Sequence, residues 1–220
     1  MKKLGKFLGL VIMITAFVGC SSVKVTHSWK DIKTENLKGK NILVMCKTKD
    51  DIARIQFEDD ITDELNQNGY TAHVSYKTFP DISTDKNDLT TEEIENVKTK
   101  LKGEGVDVVV MTVLKDIKKY TTTTASGSTG YYVSTYPGFY RRGYYRGFYS
   151  YYGSVYIDTA PVMYTTSSGK KYILETVFYD LKQPEKNQLI SVITTELDNP
   201  ETLGTTSTDF SKKIVKELLD

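Results

Sequence analysis

The chain has 220 residues, enough for one domain with a sizeable core. Its 29 basic and 28 acidic residues nearly cancel, so its overall charge gives no general affinity for nucleic acid. Its two cysteines are too few for a disulfide framework.

The beginning of the chain has the pattern of a bacterial export signal. Three lysines precede an apolar run at 7–18 that is too short to cross a bilayer as a helix. Residues 17–20, FVGC, resemble the lipobox of bacterial lipoproteins. The resemblance implies that 1–19 is a signal peptide and that Cys20 carries a diacylglycerol thioether and an N-acyl chain such as palmitate. By resemblance to the sorting of such lipoproteins, the absence of an aspartate directly after Cys20 implies the outer membrane. The alternative is a plain secretory signal with a chance cysteine.

The mature chain begins with a predicted tether, followed by alternating strands and helices. We predict a lipidated N-terminus and tether at 20–40 and a single α/β domain at 41–220. The apolar run at 41–46 is typical of a strand covered on both faces. Apolar residues every four positions then predict a helix over 53–65, and a strand follows at 71–76.

The next segments continue the alternation. Thr90 and Glu93 form a capping-box pattern that predicts a second helix. The run at 106–114 is the most apolar in the chain and predicts a central strand. Right-handed crossovers would place the first two helices on one face of the sheet.

Three extended segments and a helix complete the pattern. The segments at 154–166, 171–181 and 188–198 are joined by short turns and predict an antiparallel meander. A terminal helix is expected to begin at Ser207 or Thr208. The sequence therefore predicts an α/β (α+β) fold with one mixed sheet, the order β-α-β-α-β-(long loop)-β-β-β-α, and three helices.

The scaffold segments resemble a group of small envelope domains. The segments are NILVMC, RIQFEDDITDELNQNGY, GVDVVVMTVL and YILETVFYDL. This order in an exported lipoprotein is similar to the group that includes the curli secretion protein CsgG, the penicillin-binding-protein activator LpoB and the amino-terminal domain of TolB. It is still more similar to bacterial lipoproteins of unknown function. The resemblance implies a role in the cell envelope and transfers no functional residue.

A Tyr/Gly/Arg-rich insertion at 120–153 separates the two halves of the scaffold. The stretch 131–156 contains ten tyrosines and three of the four arginines of the chain, with no acidic residue. Three interpretations of this stretch are open. It could be a low-complexity loop that has no specific partner, it could be a binding surface, or it could be a membrane-inserted hairpin. On the second interpretation the candidate contacts are Tyr136, Phe139, Tyr140, Arg141, Arg142, Tyr144, Tyr145, Arg146, Phe148 and Tyr149.

The sequence offers no recognisable catalytic or metal-binding motif. Only His27 and His73 could serve as histidine bases, and the zinc patterns HExxH and CxxC are absent. We therefore expect no enzyme activity, cofactor or metal, and no nucleic-acid partner.

The expected function is a non-catalytic binding or assembly module in the envelope, anchored in the outer membrane and facing the periplasm. Its partner would be an envelope protein or a glycan, with no oligomeric state indicated. The alternatives are a subunit of a secretion or pore assembly, an envelope enzyme, or a glycan-binding protein.

Overall fold

The computed structural model describes residues 22–31, 37–80, 82, 89–121, 147–149, 168–200 and 202–219. Its elements are β1 (Val23–Lys30), β2 (Asn41–Lys47), α1 (Asp51–Gln67), β3 (Thr71–Val74), α2 (Ser75–Thr78), α3 (Thr91–Gly103), β4 (Val108–Thr121), β5 (Ser168–Asp180), β6 (Leu189–Asp198) and α4 (Leu203–Leu219). The strands form one sheet in the order β1-β6-β5-β4-β2-β3. β2 is parallel to β3 and β4, and the other pairs are antiparallel. The predicted mixed sheet is confirmed, and with the four-residue α2 the described residues contain four α-helices instead of the predicted three.

The helices cover both faces of the sheet. Phe57 of α1 and Phe210 of α4 meet edge to face at 5.1 Å in one apolar cluster. Val97 and Leu101 of α3 belong to a second cluster on the opposite face. The prediction that the first two helices share a face was wrong. Because β3 and β4 lie on opposite sides of β2, right-handed crossovers place α1 and α3 on opposite faces.

The first strand falls within the segment predicted to be a tether. β1 pairs antiparallel with β6 at the edge of the sheet, from Val23 opposite Leu197 to Lys30 opposite Ser191. Val23 is fully buried, whereas the strand is exposed from Thr26 onward. An edge strand that buries so little has no apolar run to mark it in the sequence.

Several local signals in the sequence correspond to the observed structure. The Asp50 carboxylate accepts hydrogen bonds from the Ile52 and Ala53 amides at 3.0 and 3.1 Å and so caps α1. Both halves of the predicted capping box at Thr90 and Glu93 are present at the start of α3.

Other boundaries differ from the prediction. The terminal helix starts at Leu203, where the Thr202 hydroxyl accepts a hydrogen bond from the Thr205 amide at 3.3 Å. β4 continues seven residues past the predicted end because it pairs with β5 as far as Thr121. The predicted strand at 154–166 lies outside the described residues.

Candidate functional site

The chain that contains the Tyr/Gly/Arg-rich insertion leaves the described fold after Thr121 and returns to it at Ser168, at the outer end of the β4–β5 pair. Thr121 lies opposite Ser168 there, at the last register position of the pair. The Tyr120 hydroxyl donates a hydrogen bond to Asp198 at 2.8 Å, and this bond raises the pKa of Tyr120. A Cβ atom on Gly169 would lie 2.2 Å from the Tyr120 ring, so only glycine leaves room for the ring in this position. This end of the insertion is therefore attached to an ordered pair of strands.

Lys171 reinforces the same end of the sheet. Its ammonium group lies 2.7 Å from Glu196 and 3.3 Å from Asp198, and 5.7 Å from the centre of the Tyr120 ring. The hydrogen bond to Glu196 is the main cause that raises the pKa of Lys171. The group joins side chains from β4, β5 and β6, so the three strands are tied together where the insertion begins and ends.

A second attachment lies inside the insertion, at residues 147–149. Gly147 has φ +88°, and a Cβ atom there would lie 3.0 Å from the carbonyl oxygen of Glu185. The Phe148 amide donates a hydrogen bond to the side-chain oxygen of Gln188 at 3.0 Å. A left-handed backbone angle and a close backbone contact both favour glycine at this position. Gly147 therefore lets the backbone turn so that Phe148 can enter the fold.

Phe148 is a core residue. Its side chain is 0% exposed and belongs to the apolar cluster on the α3 face. Its ring meets those of Tyr149 and Tyr179 edge to face, at 5.2 and 5.7 Å between centroids. Tyr179 lies near the turn between β5 and β6, at the opposite end of the β4–β5 pair from Thr121. At about 3.4 Å per strand residue, Ser168 and Tyr179, which mark the two attachments on β5, are about 37 Å apart along the strand.

Tyr149 lies between Phe148 and helix α3. It is half-buried, and the ammonium group of Lys98 lies 5.6 Å from the centre of its ring. Burial, followed by the nearby carboxylates of Glu95 and Glu185, raises the pKa of Tyr149 to about 12. The phenol is thus neutral over the physiological range.

The structure therefore places two of the ten candidate contact residues. Phe148 cannot contact a partner while it is buried, and Tyr149 offers only part of its ring. The sequence could not identify this attachment, because Gly147-Phe148-Tyr149 reads like the rest of a Tyr/Gly-rich stretch. The other candidates lie outside the described residues, as does the lipidation site Cys20. They are Tyr136, Phe139, Tyr140, Arg141, Arg142, Tyr144, Tyr145 and Arg146.

A cavity of about 350 Å³ forms a second candidate site, between the sheet and the amino ends of α1 and α4. Its lining residues are Cys46, Lys47, Thr48, Asp50, Ala53, Phe57, Thr112, Leu114, Tyr172, Leu174, Leu197, Pro200, Thr202, Leu203 and Thr206. It lies beside the carboxyl end of β2, the strand at which the order of the sheet reverses. In α/β sheets, ligands bind at such switch points. The sequence did not reveal the cavity, because its walls come from six separate elements.

The chemistry of this cavity favours an apolar occupant. Phe57, Leu174 and Leu197 contribute buried apolar walls. Burial is the main cause, with the Glu58 charge second, that raises the pKa of the Cys46 thiol well above its usual range. A thiol held in this protonated form is a poor nucleophile. The Asp50 carboxylate already accepts the amide hydrogen bonds that cap α1.

A buried ion pair fixes the end of α1 beside the cavity. Glu58 is fully buried and accepts hydrogen bonds from the amides of Cys46, Ser75 and Tyr76 at 3.0, 2.7 and 3.0 Å. The Arg54 Nε lies 3.0 Å from the same carboxylate. Because the donors come from β2, α1 and α2, one carboxylate positions three elements. These contacts indicate a structural role for the pair.

Comparisons with known proteins give distant structural similarities. The sequence matches no protein-family model and no curated protein sequence. A PelC dodecamer structure from Paraburkholderia phytofirmans is similar over 89% of this chain and 96% of its own, at 9% identity and a TM-score of 0.43. A DUF4136 family protein from Bacteroides thetaiotaomicron is similar over 90% and 97%, at 14% identity and a TM-score of 0.36. Lipoprotein GNA1162 from Neisseria meningitidis is similar over 80% and 99%, at 11% identity and a TM-score of 0.37.

These similarities are too distant to transfer a residue or a role to this chain. The resemblance to the CsgG, LpoB and TolB group stays a prediction. Within the described ranges, no helix combines the length and the apolar composition needed to cross a membrane.

Proposed function

We propose that this protein is a lipid-anchored lipoprotein of the bacterial cell envelope and acts as a non-catalytic binding or assembly module. Cys20 carries the lipid, the anchor lies in the outer membrane, and the domain faces the periplasm. The part of the Tyr/Gly/Arg-rich insertion between Thr121 and Gly147, called here the Tyr/Arg-rich segment, contacts the partner. The partner is an envelope protein or a surface glycan.

The double attachment of the segment is the observation that carries this proposal. A loop held only at its base orders its whole length when it binds, and this ordering reduces affinity. Here Phe148 is buried in the domain, and the β4–β5 pair holds the chain on either side of the insertion, at Thr121 and Ser168. A second fixed point lowers this cost for a contact segment, which favours a contact role over an unattached linker.

Composition supports the same assignment. Tyrosine offers a large contact area at low entropic cost, and arginine adds planar hydrogen bonding and cation–π contacts. Residues 117–157 contain five basic residues and no acidic residue. An acidic or hydroxyl-rich partner surface fits this chemistry best.

The test asks whether the arginines of the insertion bind the partner or whether the folded domain is sufficient. We would replace Arg141, Arg142 and Arg146 together with serine and compare the proteins crosslinked to each form in intact cells. The control replaces three exposed lysines elsewhere, Lys38→Ser, Lys102→Ser and Lys216→Ser, and so removes the same charge. We expect the arginine variant to lose its partners and the lysine variant to keep them, with equal urea midpoints. An unchanged partner list in the arginine variant would contradict the proposed contact.

The anchor has its own test. Replacement of Cys20 by alanine should remove the lipid mass from the purified protein and reduce its share in the membrane fraction. A wild-type protein without a lipid adduct would contradict the anchor, whatever the crosslinking shows.

A further inference from the structure

The apolar cavity lies beside the point where the amino-terminal end of the chain enters the sheet. Val23 of β1 pairs with Leu197 of β6, and Leu197 pairs with Tyr172 of β5. Residues directly opposite each other in antiparallel strands point to the same face. Leu197 and Tyr172 both line the cavity, and Val23 is buried in the same apolar cluster. Val23 is therefore one strand away from the cavity wall.

The chain upstream of Val23 is short. The Ser22 carbonyl accepts a hydrogen bond from the Asp198 amide at 2.8 Å, so Ser22 is fixed beside β6. Only Ser21 separates Ser22 from Cys20, and two residue steps span at most about 7 Å. An extended acyl chain reaches about half of the ~30 Å hydrocarbon core of a bilayer. A lipid on Cys20 is thus within reach of the cavity.

The cavity suits such a chain in size and in polarity. At about 30 Å³ for each water-sized group, 350 Å³ holds roughly a dozen methylenes. Leu203, at the start of α4, lines the cavity and leaves 37% of its surface exposed. Apolar side chains thus line the cavity from its buried walls to Leu203, which is partly exposed to solvent.

We propose that this cavity takes one acyl chain of the lipid on Cys20 when the protein is outside a bilayer. The inference rests on the proposed lipidation and goes beyond the anchoring role. An acyl chain in water is driven toward apolar surroundings by the hydrophobic effect. A chain attached a few residues away also has a far higher effective concentration at the cavity than a free lipid in dilute solution. The occupant is therefore the protein's own lipid, and a bilayer phospholipid is the competing outcome.

The test maps where the acyl chain lies. The full chain is expressed in bacteria fed a fatty acid with a terminal diazirine, purified in mild detergent, and diluted below the micelle concentration before irradiation. After digestion, mass spectrometry should find the Cys20 peptide joined to peptides that line the cavity, such as those containing 46–57 or 197–206. The intact mass of the same sample reports whether Cys20 carries lipid.

Two variants of α1 provide the matched comparison. Ala53→Phe fills the cavity and should lose these cross-links, whereas Ile52→Phe, at a position 73% exposed and outside the lining, should keep them. Cavity peptides that carry only a separate phospholipid would overturn the proposal, as would a lipidated protein without cavity cross-links. A protein without lipid on Cys20 would overturn both this proposal and the anchor. The wild-type map decides between these outcomes even if Ala53→Phe fails to fold.

Discussion

Replacement of Phe148 by alanine tests whether the Tyr/Arg-rich segment is attached to the domain. The Phe148 side chain is 0% exposed and packs edge to face against two tyrosine rings. Truncation of a buried phenylalanine to alanine costs about 3–5 kcal/mol, through lost burial and the cavity that remains. The cost is limited by the free energy with which 147–149 dock, because the segment can detach instead of leaving a cavity. We therefore expect a loss near the lower end, about 3 kcal/mol.

The loss is measurable by urea unfolding, followed by circular dichroism and by the fluorescence of Trp29, the only tryptophan. Tyr149→Phe is the control at neutral pH, because it keeps the ring contacts and should change the free energy of unfolding by less than about 0.5 kcal/mol. A loss below about 1 kcal/mol for Phe148→Ala, at an unchanged dependence on urea, would refute the attachment. The segment would then have only the β4–β5 pair as its base.

Three further predictions address the backbone, the buried ion pair and pH. Gly147→Ala should destabilise the fold by about 1–3 kcal/mol in the same assay, because alanine meets strain at φ +88° and the side chain would contact the Glu185 carbonyl oxygen. Glu58→Gln should cost about 3–5 kcal/mol by leaving a buried guanidinium without its counter-charge, whereas Asp63→Asn on the exposed side of the same helix should cost less than about 0.5 kcal/mol. The folded-state pKa of Tyr149, about 12, lies above its unfolded value of about 10, so this phenol stabilises the fold below pH 10. Unfolding curves should therefore show wild type losing stability relative to Tyr149→Phe as the pH rises from about 10 to 12.

The elements that local chemistry determines were predictable from the sequence. The cap at Asp50 and the capping box at Thr90 and Glu93 depend only on residues three positions apart or fewer. The strand around 106–114 was recognisable because a strand covered on both faces has a continuous apolar run. Burial of Cys46 followed from the same argument for 41–46, and the structure confirms it.

Features that depend on tertiary neighbours were not predictable. β1 buries only Val23 fully, so its pairing with β6 leaves almost no pattern. The faces of α1 and α3 depend on which side of β2 each following strand occupies, and a single sequence does not encode this order locally. Phe148 resembles its aromatic neighbours in sequence, and only the position of Gln188 and Tyr179 makes it a core residue.

The short amino-terminal connection and the two attachments together define which end of the sheet lies nearer the proposed lipid anchor. Tyr172 lies in the same row of the sheet as Val23, close to the proposed lipid on Cys20. Ser168 is only four residues from Tyr172 along β5, or about 13 Å, so with the proposed lipid on Cys20 this end of the β4–β5 pair lies on the anchored side of the domain. Tyr179, which packs on Phe148, lies seven residues from Tyr172 in the opposite direction, or about 23 Å. On the proposed anchoring, one attachment point thus lies at the end of the sheet near the lipid and the other at its far end, and a partner that contacts both would span most of the length of β5.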